Sequence, residues 1–213
     1  RDVAPSRGLG DVYKRQMRTL GELYETDINY YARLNFTSLI DIVDTLGGVD
    51  VYSELAFQTG TESGCIVDVQ EGWNHLNGEQ ALAFSRERHA LADGDNQRGK
   101  NQQAVLTAML RKCLSPTMLL KAGTIMNQVS SEVETNLSQA QINSLIKYQL
   151  NKNATWTIQS VAATGTNDKG YCYSSGDTPL FIMDPDEDVV QEIIDLANVV
   201  EEGGTLKAGE SLN

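Results

Sequence analysis

Residues 84–103 read Phe-Ser-Arg-Glu-Arg-His-Ala-Leu-Ala-Asp-Gly-Asp-Asn-Gln-Arg-Gly-Lys-Asn-Gln-Gln, and they hold four of the chain's 17 lysines and arginines. The rest of the chain is acidic, with 29 Asp and Glu and a formal net charge of -12. Guanidinium forks grip phosphate oxygens two at a time, and a helix start adds backbone N–H groups and the positive end of its dipole. Arg86 and Arg88, two positions apart, share a face if the chain is extended there. Asp95, Arg98 and Gln102 share one face of a helix predicted from near Asp95 to about Lys112. These spacings predict three guanidiniums converging across a cleft, a phosphate site with Asp95 and Gln102 beside it. A solvated charge run and a purely structural Arg–Asp network are the competing readings.

The helical wheel bears on that choice. Asp95, Arg98 and Gln102 fall with Leu106, Met109, Leu110 and Cys113, while Lys100, Ala104, Thr107 and Arg111 fall opposite. The first face is expected to point towards the core and the second to solvent. A charge on the core side persists only if it is partnered, since desolvating an ion costs several kcal/mol.

Other residues carry weaker signals. His75 and His89 are too few and too scattered for a zinc site, and Cys65, Cys113 and Cys172 lack CxxC spacing. Cys113 is expected in the core, and Cys65 and Cys172 could pair in a secreted protein. His89 could act as a base but reads more simply as solvated. Asp41 and Asp44 read as the solvated side of a short helix, and Trp73 and Trp156 as packing residues. The acidic balance argues against non-specific nucleic-acid binding, which depends on Lys and Arg neutralising phosphates. No apolar run of about 18 residues suggests a membrane span.

The elements that must position the arginines follow from periodicity and caps. Residues 37–46 carry Leu39, Ile40, Val43 and Leu46 at helical spacing, with Gly47-Gly48 as the stop. Val49–Ser53 alternates like a half-buried strand, and 59–64 is loop chemistry. Asn77 and Gln80 form a capping-box variant for a helix to about Ser85, and Pro116 opens another helix. A further helix spans 138–150 behind Ser138 and Gln141, and 156–161 alternates as a strand. Asp184-Pro185 breaks the chain before a last helix carrying Val189, Ile193, Ile194 and Ala197. The tail 201–213 is expected to be disordered. Residues 1–16 are expected to be a non-native leader outside any sheet, because Asp11-Val-Tyr-Lys-Arg-Gln16 resembles the translated end of a transposase-based sequencing adaptor. Helices interleaved with short strands predict an α/β layered domain over 17–200.

Arg86-x-Arg88, Asp95-x-x-Arg98 and Gln102 resemble, in identity and spacing, the signature of the LytR-CpsA-Psr family. Asp27-Ile-Asn-Tyr-Tyr, Leu34-Asn-Phe36, Val43-Asp44-x-Leu-Gly-Gly-Val49 and Leu76-Asn-Gly-Glu-Gln-Ala-Leu82 resemble its intervening landmarks, in the same order. The resemblance covers about residues 17–112 and implies an α-β-α domain with a central mixed sheet, here incomplete at its N-terminus. It implies a phosphotransferase that attaches an undecaprenyl-diphosphate-linked glycopolymer, such as teichoic acid or capsular polysaccharide, to peptidoglycan outside the cytoplasmic membrane, usually with Mg2+. Membrane contact would come through the lipid substrate and an N-terminal anchor that precedes this segment. Arg86, Arg88 and Arg98 would clamp the diphosphate. Asp95 would orient an arginine or lie near the metal, and Gln102 would bond a phosphate oxygen or position Arg98.

Two departures qualify the resemblance. Asn101 stands where the family usually has Arg. The metal-binding aspartates and another arginine are expected upstream of this segment, so 1–213 alone is expected to bind but not turn over. The alternatives are a non-catalytic module that binds a polyprenyl diphosphate or anionic glycan, and a structural wall protein whose arginines are paired internally.

Overall fold

The computed structural model describes residues 8–90, 94–129, 131–171, 176–207 and 210–211. The chain divides into two compact units, Arg1–Asn29 with Val161–Ala208 and Tyr30–Ser160 with Gly209–Asn213. The first unit opens with helix α1 (Gly8–Leu23), which runs without a break through position 16.

The second unit carries the residues of interest. Strand β1 (Ala32–Arg33) precedes helix α2 (Phe36–Thr45), which begins at Asn35, whose side chain accepts from the Ser38 N–H at 2.8 Å. Ile42, Val43 and Leu46 are buried, as their spacing requires. Gly47 and Gly48 have φ of 76° and 86°, and a Cβ on Gly48 would collide with the His75 ring, so glycine is required there on two counts. Strand β2 (Val49–Ser53) then alternates inward and outward as predicted. The short strands β3 (Phe57–Gln58) and β4 (Asp68–Val69) pair with each other, separated by a 3-10 turn at Thr61–Ser63. Strand β5 (Gly72–Leu76) pairs antiparallel with β2, setting Val49 against Leu76 and Tyr52 against Trp73.

Helix α3 (Gly78–Arg86) has the predicted capping box, with Asn77 accepting from the Gln80 N–H at 2.9 Å and Gln80 accepting from the Asn77 N–H at 3.0 Å. The Asp44 carboxylate accepts from the Gly78 N–H at 2.7 Å, so Asp44 ties α2 to the start of α3 rather than only facing water. Helix α4 (Gly94–Leu114) follows, and Pro116 opens α5 (Pro116–Leu120). Helix α6 (Ala122–Val129) and strand β6 (Glu134–Thr135), paired with β1, lead to α7 (Gln139–Lys152). The α7 capping box joins Ser138 and Gln141 as expected. The strand read at 156–161 is only β7 (Thr157–Ile158).

The core of this unit gathers Val43, Leu46, Val49, Val51, Val69, Ala81, Phe84, Val105 and Ala108. Phe57 stacks on Phe84 at 5.8 Å. Burying each valine, leucine or phenylalanine side chain of this core contributes roughly 1.5–3 kcal/mol.

In the first unit, β8 (Gly165–Tyr171) and β9 (Pro179–Pro185) form a hairpin that periodicity did not reveal, and α8 (Glu187–Glu201) follows with Ile194 buried. Strand β10 (Glu210–Ser211), within the tail expected to be disordered, pairs with β7 in the second unit.

The fold is the expected mixture of helix and strand, but the sheet is in pieces. Instead of one central mixed sheet, the described residues form five two-stranded antiparallel sheets. Six of these strands, β1, β3, β4, β6, β7 and β10, are only two residues long, and the longer β2, β5, β8 and β9 each pair with a single neighbour.

Candidate functional site: an arginine-rimmed cleft

The C-terminal end of α3 and the first half of α4 wall a cleft of about 560 Å³. Arg86, Arg88, Arg98 and Gln102 all line it, so four of the five residues singled out by spacing meet around one space. Asp95 lies in the first turn of α4, and its side chain is outside the described residues. The remaining wall is largely apolar, with Leu34, Phe36, Leu39, Leu82, Leu106 and Met109. A charged rim over an apolar wall suits a ligand with an anionic head and a hydrocarbon tail.

Local structure aims each group. Arg86 is the last residue of α3, and its guanidinium lies 4.8 Å from the Phe36 ring centroid, within cation–π range. Arg88 donates from Nε to His89 Nε2 at 3.3 Å, and the same ring nitrogen is 3.2 Å from Glu62 Oε2. His89 stays exposed, as a solvated histidine beside the arginines would be, and Arg88 is its hydrogen-bond donor. Arg86 and Arg88 do not form the extended pair the sequence suggested. Arg86 is still helical, and the chain turns extended only at Glu87.

Glu87 is the functional neighbour that sequence reasoning missed. It is 1% exposed, and its carboxylate accepts five hydrogen bonds. Oε2 takes the Gly60 N–H at 2.6 Å and the Ser63 hydroxyl at 2.9 Å; Oε1 takes the N–H groups of Arg88, His89 and Ala90 at 2.9, 2.7 and 3.0 Å. Burial alone would raise its pKa. The bonds from Gly60, Ala90, Ser63 and His89 outweigh burial and hold it at about 2, against an ordinary 4.5. One carboxylate thus clips the segment bearing Arg88 and His89 to the 3-10 turn. A signal existed in the sequence: an acid at a helix C-terminus opposes the dipole and needs compensation from elsewhere.

Asn101 was also missed. It is 3% exposed, donates from Nδ2 to the Phe84 carbonyl at 3.1 Å, and accepts from Gln97 Nε2 at 3.2 Å. It therefore staples α4 to the last turn of α3.

The predicted orientation of α4 needs correction. The buried face is Asn101, Val105, Ala108 and Met109, whereas Gln102, Leu106, Leu110 and Cys113 are exposed. The Arg98–Gln102–Leu106 stripe faces the open cleft rather than the core. Apolar residues nearly encircle α4, so the wheel left its inward face ambiguous, and packing chose the side that lets Asn101 reach Phe84. Lys100 is exposed as expected, and with Thr107 and Arg111 it lines a second, open cavity on that side. Trp73 is exposed rather than packed inside, and the Trp156 indole N–H donates to Gln149 at 2.6 Å. The pairing of Cys65 with Cys172 involves residue 172, outside the described residues.

Among the described residues, no group of three or more His, Cys, Asp or Glu could hold a metal ion. The described side chains therefore do not form a Mg2+ site by themselves. Among the same residues, no helix is long and apolar enough to cross a membrane.

The chain is similar to several known proteins. It is 36% identical over 124 residues to the polyisoprenyl-teichoic acid--peptidoglycan teichoic acid transferase TagU of Bacillus mycoides (strain KBAB4), covering 58% of this chain and 39% of that protein. It is 31% identical over 140 residues to biofilm regulatory protein A of Streptococcus mutans, covering 63% of this chain and 34% of that protein. The chain thus spans well under half the length of these relatives. The crystal structure of B. subtilis TagU superposes with a TM-score of 0.61 at 25% identity, over 91% of this chain and 73% of that one. The LytR_cpsA_psr family model matches residues 12–182, a span that includes the whole arginine cleft, and the chain belongs to that family.

Proposed function

We propose that this chain carries the donor-binding cleft of a phosphotransferase that moves an undecaprenyl-diphosphate-linked glycopolymer, teichoic acid or capsular polysaccharide, onto peptidoglycan at the outer face of the cytoplasmic membrane. The observation that carries the proposal is the meeting of Arg86, Arg88, Arg98 and Gln102 around one cleft whose other wall is apolar. A polyprenyl diphosphate needs both halves: forked donors for its phosphate oxygens and hydrocarbon surface for its tail. The name of the Bacillus mycoides relative describes, for that protein, transfer of teichoic acid from polyisoprenyl-teichoic acid to peptidoglycan.

In the proposed reaction, an acceptor sugar hydroxyl bonds to the phosphorus that bears the glycan. The P–O–P bond breaks, the hydroxyl proton is released, and polyprenyl phosphate leaves. Negative charge builds on the bridging oxygen as that bond breaks. Arg86, Arg88 and Arg98 bind and neutralise the diphosphate oxygens, and Gln102 donates to one of them. By resemblance to the family, Asp95 is assigned to orienting an arginine or lying near the metal. Positioning and charge stabilisation are what a protein chiefly supplies in phosphoryl transfer.

Titration with farnesyl diphosphate tests the binding half. Arg98→Ala should weaken binding by about 10- to 150-fold, the loss of a charge-assisted hydrogen bond. Lys100→Ala, on the other side of α4, should leave binding unchanged. Equal effects of the two substitutions would reject the assignment. The transfer half is tested with the full gene product, a labelled lipid-linked glycopolymer and peptidoglycan fragments. Binding without transfer there would identify the non-catalytic module instead.

A further inference from the structure

On the side of α4 away from the arginine cleft, a second cavity of about 380 Å³ lies against the outward face of the β2–β5 ribbon. Val49 and Val51 of that ribbon point to the core, and Tyr52 points out, directly opposite Trp73 on the neighbouring strand. Trp73 is 60% exposed and Tyr52 is 52% exposed. The two rings meet edge to face, 5.5 Å apart at 75°, and the Arg111 guanidinium sits 5.3 Å from the Trp73 centroid. Single exposed aromatics are ordinary on protein surfaces. A cross-strand pair held at a fixed angle, with a cation over one ring, at the wall of a cavity, is a preorganised apolar platform.

The rim defines what the platform suits. Asp50 and Glu54 are balanced by Lys100 and Arg111, so its formal charges cancel. Gln103 and Thr107 add an amide and a hydroxyl. Cancelled charge gives no preference for an ion, and the chain's net -12 opposes a polyanion. Rings crossed at 75° offer no parallel slot for a flat base. A pyranose matches the combination: its C–H face lies on an aromatic ring while its equatorial hydroxyls reach carboxylate, amide and guanidinium groups around the edge. The volume falls within the range of small-molecule sites, ~300–1,000 Å³.

We propose that this cavity is a binding site for a neutral oligosaccharide, built on Trp73 and Tyr52 and separate from the arginine cleft. The site does not depend on the phosphotransferase assignment, and its test needs no transfer reaction.

Isothermal titration of the protein with chitotetraose, cellotetraose and maltotetraose should show saturable binding of at least one, with a matching change in tryptophan fluorescence. Trp73→Ala should weaken that binding at least about tenfold, equivalent to about 1.4 kcal/mol. Trp73→Phe, which keeps an aromatic face, should retain most of it, and Tyr52→Ala should weaken it. Both positions are exposed, so unchanged far-ultraviolet circular dichroism is expected for each variant. Arg98→Ala should bind the oligosaccharide like the unaltered protein. No saturable binding of any of the three sugars, undiminished binding by Trp73→Ala, or an equal loss in Arg98→Ala would each overturn the proposal. So would binding of a proline-rich peptide at Trp73 in place of the sugars.

Discussion

At the scale of single residues, Glu87 decides where Arg88 and His89 lie, and its two oxygens divide the work. A glutamine at this position has one acceptor oxygen and one NH2 group. Its NH2 must therefore face either the donors of Gly60 and Ser63 or those of Arg88, His89 and Ala90. Glu87→Gln should destabilise the protein at neutral pH by several kcal/mol, since buried donors lose their partner. The sign of the pH dependence follows from linkage. A folded pKa of about 2 below an ordinary 4.5 means stabilisation that is fully present above about 4.5 and is lost as pH falls through about 2. That share amounts to ~3 kcal/mol. Urea unfolding at a series of pH values should therefore show the gap between the two proteins narrowing between about pH 5 and 2. A gap that stays constant across that range would show that the carboxylate's charge is not what holds the turn.

At the scale of elements, the rim of the cleft exists because α3 stops where α4 can meet it. The last carbonyls of a helix have no partner within it, and Asn101 supplies one to Phe84 from the neighbouring helix. Asn101→Leu keeps the volume but leaves that buried carbonyl and Gln97 without their partner. The expected cost is ~1–3 kcal/mol of stability. Arg98 lies on α4 three residues from Asn101, and Arg86 lies two residues from Phe84. Loosening the staple should therefore also weaken farnesyl diphosphate binding, though less than Arg98→Ala does. Chemical denaturation paired with titration checks both, and an Asn101→Leu protein as stable as the original would remove the staple from the account. The departure from the family's usual arginine at this position is thus a buried structural amide, a role the wheel could have suggested. Asn101 shares its face with Val105 and Ala108 at four and seven residues on.

At the scale of the whole molecule, a cationic cleft sits on a chain of net charge -12. Two electrostatic effects then oppose each other for an anionic ligand. Arginine contacts at hydrogen-bond distance are only partly screened by salt, whereas repulsion from distant carboxylates fades beyond the Debye length, ~10 Å at 0.1 M. Salt should therefore weaken the attraction and relieve the repulsion together. We expect diphosphate affinity to change by less than about tenfold between 50 and 500 mM NaCl, and no binding of duplex DNA. A fall of ~10³ over a smaller salt range, as for proteins that bind by releasing many counterions, would indicate an extended basic surface instead of a local cleft.

The sequence by itself determined what depends on neighbours within about one helical turn. The capping boxes at Asn77 and Ser138, the glycine stop at Gly47-Gly48, the alternation of Val49–Ser53 and the arginine spacing were all legible, because a cap or a periodic face is settled over three or four residues. Tertiary structure decided the rest. Glu87 draws on Gly60 and Ser63, 27 and 24 positions away, and Asn101 reaches Phe84 across 17, so the local pattern could mark each residue but not name its partner. The inward face of α4 was set by packing, because apolar residues ring that helix and periodicity alone could not rank its sides. Trp73 turned outward because strand register placed it opposite Tyr52 on the solvent face, and register is a property of two paired segments rather than of either one.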